Sequence, residues 1–152
     1  MSPCKREAAD LLRSFEKVVS GGAPPPSSVV RWTEDADLKV SNFMGSFEIG
    51  TVFDTSSKFE GWKWFNEDPL RSEWVKFETY EAENEAAELV ILPGYPTLEV
   101  SNRSDGAFET NDLYLPHPII KGRWRYWTRK DDVVVHSTGM KTDPIFSEFI
   151  GI

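Results

Sequence analysis

The chain has 152 residues, 39% hydrophobic and 13% aromatic, with a formal charge of −8 and a sequence pI near 4.8. That length fits one domain, and six Trp and ten Phe supply enough apolar area for a core, which excludes wholesale disorder. Lys and Arg are interspersed among carboxylates, which excludes the basic face that nucleic acid or an anionic membrane would need.

Cys4 is the single cysteine, so neither an intrachain disulfide nor a cysteine cluster for zinc can form. His117 and His136 are the only histidines, too few for a histidine-based metal site. The start, MSPCKREAAD, has no apolar signal-like core, and no run of 18 apolar residues marks a membrane span. The expected setting is cytoplasmic.

In chain order, Glu7 to Val19 reads as a helix end followed by a strand, with Leu11, Leu12 and Phe15 sharing a helix face. KVVS at 17–20 is β-like, and GGAPPP then breaks regular structure. Ser27 or Ser28 is placed to cap a short helix, although Val29 and Val30 weaken it. Leu38 to Phe43 has a partial strand pattern, and Gly45 to Gly50 reads as a glycine-bounded loop. Gly61 to Trp74 reads as a surface-covering loop. Glu73 to Thr79 alternates as a half-buried or edge strand. ELVIL at 88–92 is a stronger strand, Arg123 to Trp127 alternates, and Asp132 to His136 is a Val-rich strand. The sum is a strand-rich α+β fold.

Five segments carry further information: VVSGGAP (18–24), FMGSFEIG (43–50), Tyr80 to Leu92 with its AAELVIL, FETNDL (108–113) and WTRKDDVVVHSTGMKTDP (127–144). Each has an ordinary interpretation by itself. The first is a turn, Glu48 a solvated loop carboxylate, the third a strand without chemistry, Asp112 an Asx-type turn before a strand at LYL, and RKDD a solvated turn. Their order and spacing together resemble the adenylate-forming (AMP-binding) superfamily, closest to fungal NRPS-like and carboxylic-acid-reductase adenylation domains.

The resemblance covers nearly the whole chain from Phe15. It implies a partial adenylate-forming fold that lacks the N-terminal part and most of the C-terminal subdomain. Residues 1–130 would be the C-terminal portion of the large nucleotide-binding domain. Residues 131–152 would be the hinge and the start of the small subdomain.

The resemblance also assigns roles. Gly21, Gly22 and Ala23 match the loop beside adenine and the acyl pocket, where small residues let the backbone approach a flat base. Glu48 matches the acidic residue near the magnesium on ATP, a hard cation suited to carboxylate oxygen. Asp112 matches the carboxylate that holds both ribose hydroxyls, with Thr110 at the accompanying Thr. Arg129 matches an Arg on ribose or phosphate, Asp131 the hinge Asp, and Lys141 a basic residue of the small-domain hairpin. Three positions depart from the pattern: Phe47 stands where a phosphate-contacting Thr is usual, Thr128 replaces a Gly, and Met140 replaces an acidic residue.

The family's reaction is ATP-dependent adenylation of a small-molecule carboxylic acid, with ATP or AMP and Mg2+ as cofactors. The family's Ser/Thr/Gly-rich phosphate loop with its Lys is not found in this sequence, and neither is the acyl-adenylation Lys. The expectation is therefore a truncated acid–AMP ligase fragment, inactive alone and of fungal secondary metabolism, with no confident catalytic residue. The alternatives are an accessory or split subunit that completes a nucleotide site with an adenylating partner, and an unrelated protein-binding domain. Trp62, Trp64, Trp124 and Trp127 are candidates for an exposed patch or for ordinary core.

Overall fold

In the computed structural model the described residues are 3–22, 25–55, 63–81, 85–135 and 141–142. The chain forms two compact units, Met1–Asn66 and Glu67–Ile152.

The first unit begins with α1 (Pro3–Arg13). Proline suits the first helical position, where no N–H is needed. The helix ends at Arg13, so Phe15 lies beyond it, and Leu11 and Phe15 are exposed. Ala9, not the Leu11–Phe15 face, is the buried residue. Arg13 closes the helix by donating from its guanidinium to the carbonyl of Ala36, 2.6 Å away.

Strand β1 (Val18–Gly21) leads to α2 (Ser27–Asp35) and then to β2 (Val40–Ser46), which pairs parallel with β1 from Val18↔Val40 to Gly21↔Phe43. A helix between two parallel strands is the usual crossover. The N-cap of α2 is Pro26, with no side-chain cap, so neither serine caps it. Pro26 holds an extended ψ of 143° while its carbonyl accepts from Val29 and Val30. Strand β3 (Gly50–Asp54) returns antiparallel to β2, and β4 is Phe65–Asn66. Ile49, Val52, Phe53 and Phe65 are buried, with the Phe53 and Phe65 rings 6.2 Å apart.

The Gly45 to Gly50 segment is a β-hairpin rather than a loop. Gly45 pairs with Thr51 and Ser46 with Gly50, leaving 47–49 as the turn. Gly50 supplies a positive φ of 64°, the requirement of a tight turn that returns into the partner strand. A Cβ on Gly45 would overlap the carbonyl oxygen of Gly50, so the two backbones approach too closely for any side chain.

The second unit holds β5 (Val75–Glu81), β6 (Ala86–Ile91), β7 (Phe108–Pro116) and β8 (Arg123–Arg129), paired antiparallel in that order. A 3-10 turn (Lys130–Asp132) follows, then the short ribbon of β9 (Val134–Val135) and β10 (Lys141–Thr142). The Val-rich run is thus only a two-residue strand among the described residues. All of β6 is buried, including Glu88. Its apolar neighbours Leu89, Val90 and Ile91 anchor the core with Leu113 and Tyr114 of β7.

Trp64, Trp124 and Trp127 are half-buried rather than exposed, and Trp62 lies outside the described residues. The large exposed apolar side chains are instead Phe47, Leu70, Ile119 and others. Among the described residues no helix is long and apolar enough to cross a membrane, which says nothing about strands.

Candidate functional site

The second unit gathers its unusual chemistry where β7 leaves regular pairing. Val90 pairs with Glu109 and Glu88 with Leu113, so Leu89 alone spans Thr110, Asn111 and Asp112. Such a bulge re-aims side chains within a sheet. Asn111 takes the left-handed conformation it needs, with φ of 60°, which Asn tolerates better than most residues. The Thr110 hydroxyl donates to the Leu89 carbonyl at 2.9 Å and accepts the Asp112 N–H at 3.1 Å. The Asn111 N–H donates to Oε1 of Glu88 at 3.2 Å. Thr110–Asp112 is therefore a bulge inside a nine-residue strand, not a turn before a strand at LYL.

Asp112 stands directly opposite Arg129 in the β7–β8 register. Burial raises the Asp112 carboxyl above its ordinary range; the Arg129 charge pulls it down and the Glu88 charge raises it further. Among the described residues nothing donates a hydrogen bond to the Asp112 carboxylate, and its own N–H is spent on Thr110. Arg129 is exposed and makes no ion pair within the described residues. A partly withdrawn carboxylate and a guanidinium without an ion pair among the described residues thus face each other across two neighbouring strands.

Asp131 lies exposed in the 3-10 turn that follows Arg129. Lys141 falls on β10. Met140 and the His136–Gly139 segment lie outside the described residues.

In the first unit Gly21 ends β1 against Phe43. A Cβ there would fall 2.6 Å from the Phe43 ring, so this glycine makes room for a ring of its own chain. Gly22 differs, with φ of 89° and open space where a Cβ would stand. Ala23 lies outside the described residues. Glu48 is exposed in the β2–β3 turn, where it accepts from the Ser46 hydroxyl, and neighbouring Phe47 is fully solvent-facing. Among the described residues no three His, Cys, Asp or Glu side chains gather as a metal site.

Glu88 and Lys130, read from sequence only as parts of a core strand and a solvated turn, join the site in the structure. Glu88 is 6% exposed and its Oε2 lies 2.8 Å from Nζ of Lys130, the first residue of the 3-10 turn. That hydrogen bond raises the Lys130 ammonium above its ordinary range. The available signal was one acid inside AAELVI, since a buried charge requires a partner.

No protein-family profile matches the chain. It is similar to the adenylate-forming reductase Nps10 of Heterobasidion annosum, 32% identical over 139 residues, 88% of this chain and 12% of that protein. The chain spans about an eighth of the length of the curated relatives it matches. Among solved structures it is similar to the ATP-bound RpMatB-BxBclM chimera B3, with a TM-score of 0.64 at 19% identity, over 100% of this chain and 33% of that one. It is also similar to O-succinylbenzoate coenzyme A synthetase of Bacillus subtilis in complex with ATP and magnesium, with a TM-score of 0.60 at 18% identity, over 93% and 34% of the respective chains. The strand-rich α+β architecture is thus part of the adenylate-forming fold.

Proposed function

The chain belongs to the adenylate-forming superfamily, as a relative of fungal adenylate-forming reductases, and on that premise we propose that its second unit forms the ribose-contacting edge of an adenylation site. The carrying observation is the Asp112 carboxylate, drawn partly out of water with no donor to it among the described residues. Two adjacent ribose hydroxyls would supply the missing donors, since one carboxylate accepts from both. Arg129, opposite Asp112, would take a ribose or phosphate oxygen. The relatives whose structures hold ATP or AMP support a nucleotide as the ligand class.

The same proposal gives the other matched residues their places. Glu48, exposed in the β2–β3 turn, would sit on a magnesium ion that draws its remaining ligands from nucleotide phosphates and water. Gly22, with open space at its Cβ position, fits close approach of a base better than Gly21, whose space Phe43 fills. Residues 1–130 would belong to the large nucleotide-binding domain, and 131–152 to the hinge and small subdomain, with Asp131 as the hinge residue. The whole reaction would join a carboxylic acid to ATP: a carboxylate oxygen attacks the α-phosphorus and the bond to pyrophosphate breaks. Transition-state charge on the phosphorus oxygens needs cations beyond Arg129, so this chain by itself would bind nucleotide without useful turnover. A cytosolic setting, where ATP is abundant, accords with this function.

Calorimetric titration with AMP tests the assignment. The expected result is weak binding, on the order of millimolar, that Asp112→Asn weakens about tenfold or more through loss of a charged acceptor. Failure of the wild-type chain to bind, or equal affinity in the variant, would overturn it.

A further inference from the structure

We propose that Glu88 is a positioning residue, tying the Asp112 bulge to the turn that ends β8 so that a displacement of one is relayed to the other. Its importance for ligand binding rests on the nucleotide site proposed above; the mechanical coupling does not.

The two carboxylate oxygens of Glu88 serve two different elements. Oε1 accepts the Asn111 N–H, one residue before Asp112, and Oε2 binds Nζ of Lys130, one residue after Arg129. Glu88 itself cannot follow either movement freely. It lies in the middle of β6, the wholly buried strand, paired on one side with Glu78 of β5 and on the other with Leu113 of β7. The Lys130 ammonium is held from a second side by the ring of Tyr80 on β5, 6.0 Å from its centroid. One buried carboxylate therefore holds both the Asn111 backbone N–H and the Lys130 side chain, which lie on the same flank of the Asp112–Arg129 pair because β7 and β8 run antiparallel.

The bulge gives this contact leverage. Asn111 holds a left-handed φ of 60° and pairs with no β6 residue in the ladder. Its N–H is satisfied by Glu88 in place of a sheet bond. If Lys130 moves away, Glu88 is left as a charge with little water around it, and its best remaining donor is that same N–H. The carboxylate would shift toward the bulge, and the Asp112 side chain would turn with it.

The test uses the whole chain with Lys130→Met and Lys130→Arg, read by backbone amide NMR and by AMP titration. Lys130 is partly exposed, so Lys130→Met is the milder break. The expected result is a change in the Asn111 and Asp112 amide shifts in Lys130→Met, and exchange of the Asn111 amide proton slower by about tenfold, because Glu88 turns toward that N–H. AMP affinity should fall about three- to tenfold, and Lys130→Arg should restore both readouts to within about twofold. A role confined to global stability would lower the melting temperature without selective shifts in the bulge, and would overturn the coupling.

Unmoved Asn111 and Asp112 amides in a folded Lys130→Met chain would also overturn it. A wild-type chain that does not bind AMP defeats the nucleotide assignment alone; the amide shifts then decide the coupling. If Lys130→Met does not fold, Glu88→Gln alone and Glu88→Gln combined with Lys130→Met take its place. The Asn111 amide should keep its bond to the side-chain carbonyl oxygen at position 88 and show the same shift in both chains. A shift that still depends on residue 130 would overturn the proposal.

Discussion

The Phe77 ring on β5 stacks on the Trp124 indole of β8, centroids 3.7 Å apart and planes 14° from parallel, although β6 and β7 lie between their strands. Four strands in flat sequence would hold those rings more than ten ångströms apart, since neighbouring strands are separated by about 4.8 Å. The meander of the second unit must therefore curl until its first and last strands face each other. Tyr114 meets Phe77 edge-on at 5.6 Å and Tyr126 meets Tyr114 at 5.8 Å, filling the concave side with aromatic rings. The curl also sets the direction from which β7 presents its bulge.

Phe77→Ala should destabilise the chain by about 2–3 kcal/mol, less than a fully buried Phe because Phe77 is half-buried. Urea unfolding followed by far-ultraviolet circular dichroism would read it. A loss under about 0.5 kcal/mol would mean the stack is incidental to the curl.

The two glycines that face close neighbours should behave differently. On Gly45 a Cβ would overlap the backbone oxygen of Gly50, which no rotamer relieves. On Gly21 it would meet the far end of the Phe43 ring at 2.6 Å, which can swing aside. Gly45→Ala should cost about 2–3 kcal/mol or prevent the hairpin from forming, whereas Gly21→Ala should cost about 1 kcal/mol and be relieved by Phe43→Leu. Equal costs in denaturant melts, or no relief in the double variant, would contradict this order.

The acid limb of stability should run through Arg103. Glu78 lies below its ordinary range because the Lys76 ammonium and the Arg103 guanidinium both donate to it, at 3.0 and 2.9 Å. Asp105 is lowered chiefly by the Ala107 N–H, with the Arg103 charge adding to it. Both folded values lie below the unfolded ones, so their stabilisation is present above the ordinary carboxylate range, about pH 4, and is lost as pH falls through the lowered values. Glu78→Gln should make the decline from about pH 5 to about pH 3 shallower than in the wild type. Superimposable acid limbs would remove Glu78 from the account.

Legibility in the sequence follows the strength of local pattern. ELVIL and the alternation through Arg123–Trp127 read as strands because apolar and aromatic residues dominate them, and both are strands. The hairpin at 45–50 is hidden because two glycines signal a break, whereas here they permit backbone approach and a tight return. The Thr110–Asp112 bulge is hidden because three polar residues interrupt the strand signal, and the hydrogen bonds that hold them come from β6, more than twenty residues away. Asp112 and Arg129 stand out through family spacing, and their pairing across β7 and β8 is a property of register alone. Glu88 reads as one letter of a core strand, because its partner Lys130 lies 42 residues further on.

Asp112→Asn should leave the chain more stable than the wild type at neutral pH while weakening AMP binding. Burial holds the Asp112 carboxyl above its unfolded value, with the nearby Glu88 charge adding to this against Arg129. The sign is then opposite to that of Glu78: stability is greatest below the unfolded value and declines as pH rises through the raised folded one. Above both values the ionised carboxylate is a fixed destabilisation that a neutral amide of similar shape removes. The melting temperature should rise by a few degrees, on the order of 2 °C, at pH 7 and by less near about pH 4. A residue that lowers stability in the free chain but accepts two hydroxyls when ligand arrives is the trade expected of a binding site. Thermal melts of the two chains with and without AMP would show it as a crossover: the variant higher alone, and the wild type gaining more from ligand. A variant that melts lower than the wild type would mean that the Arg129 charge outweighs burial at Asp112, and that this carboxylate is held in place for the fold.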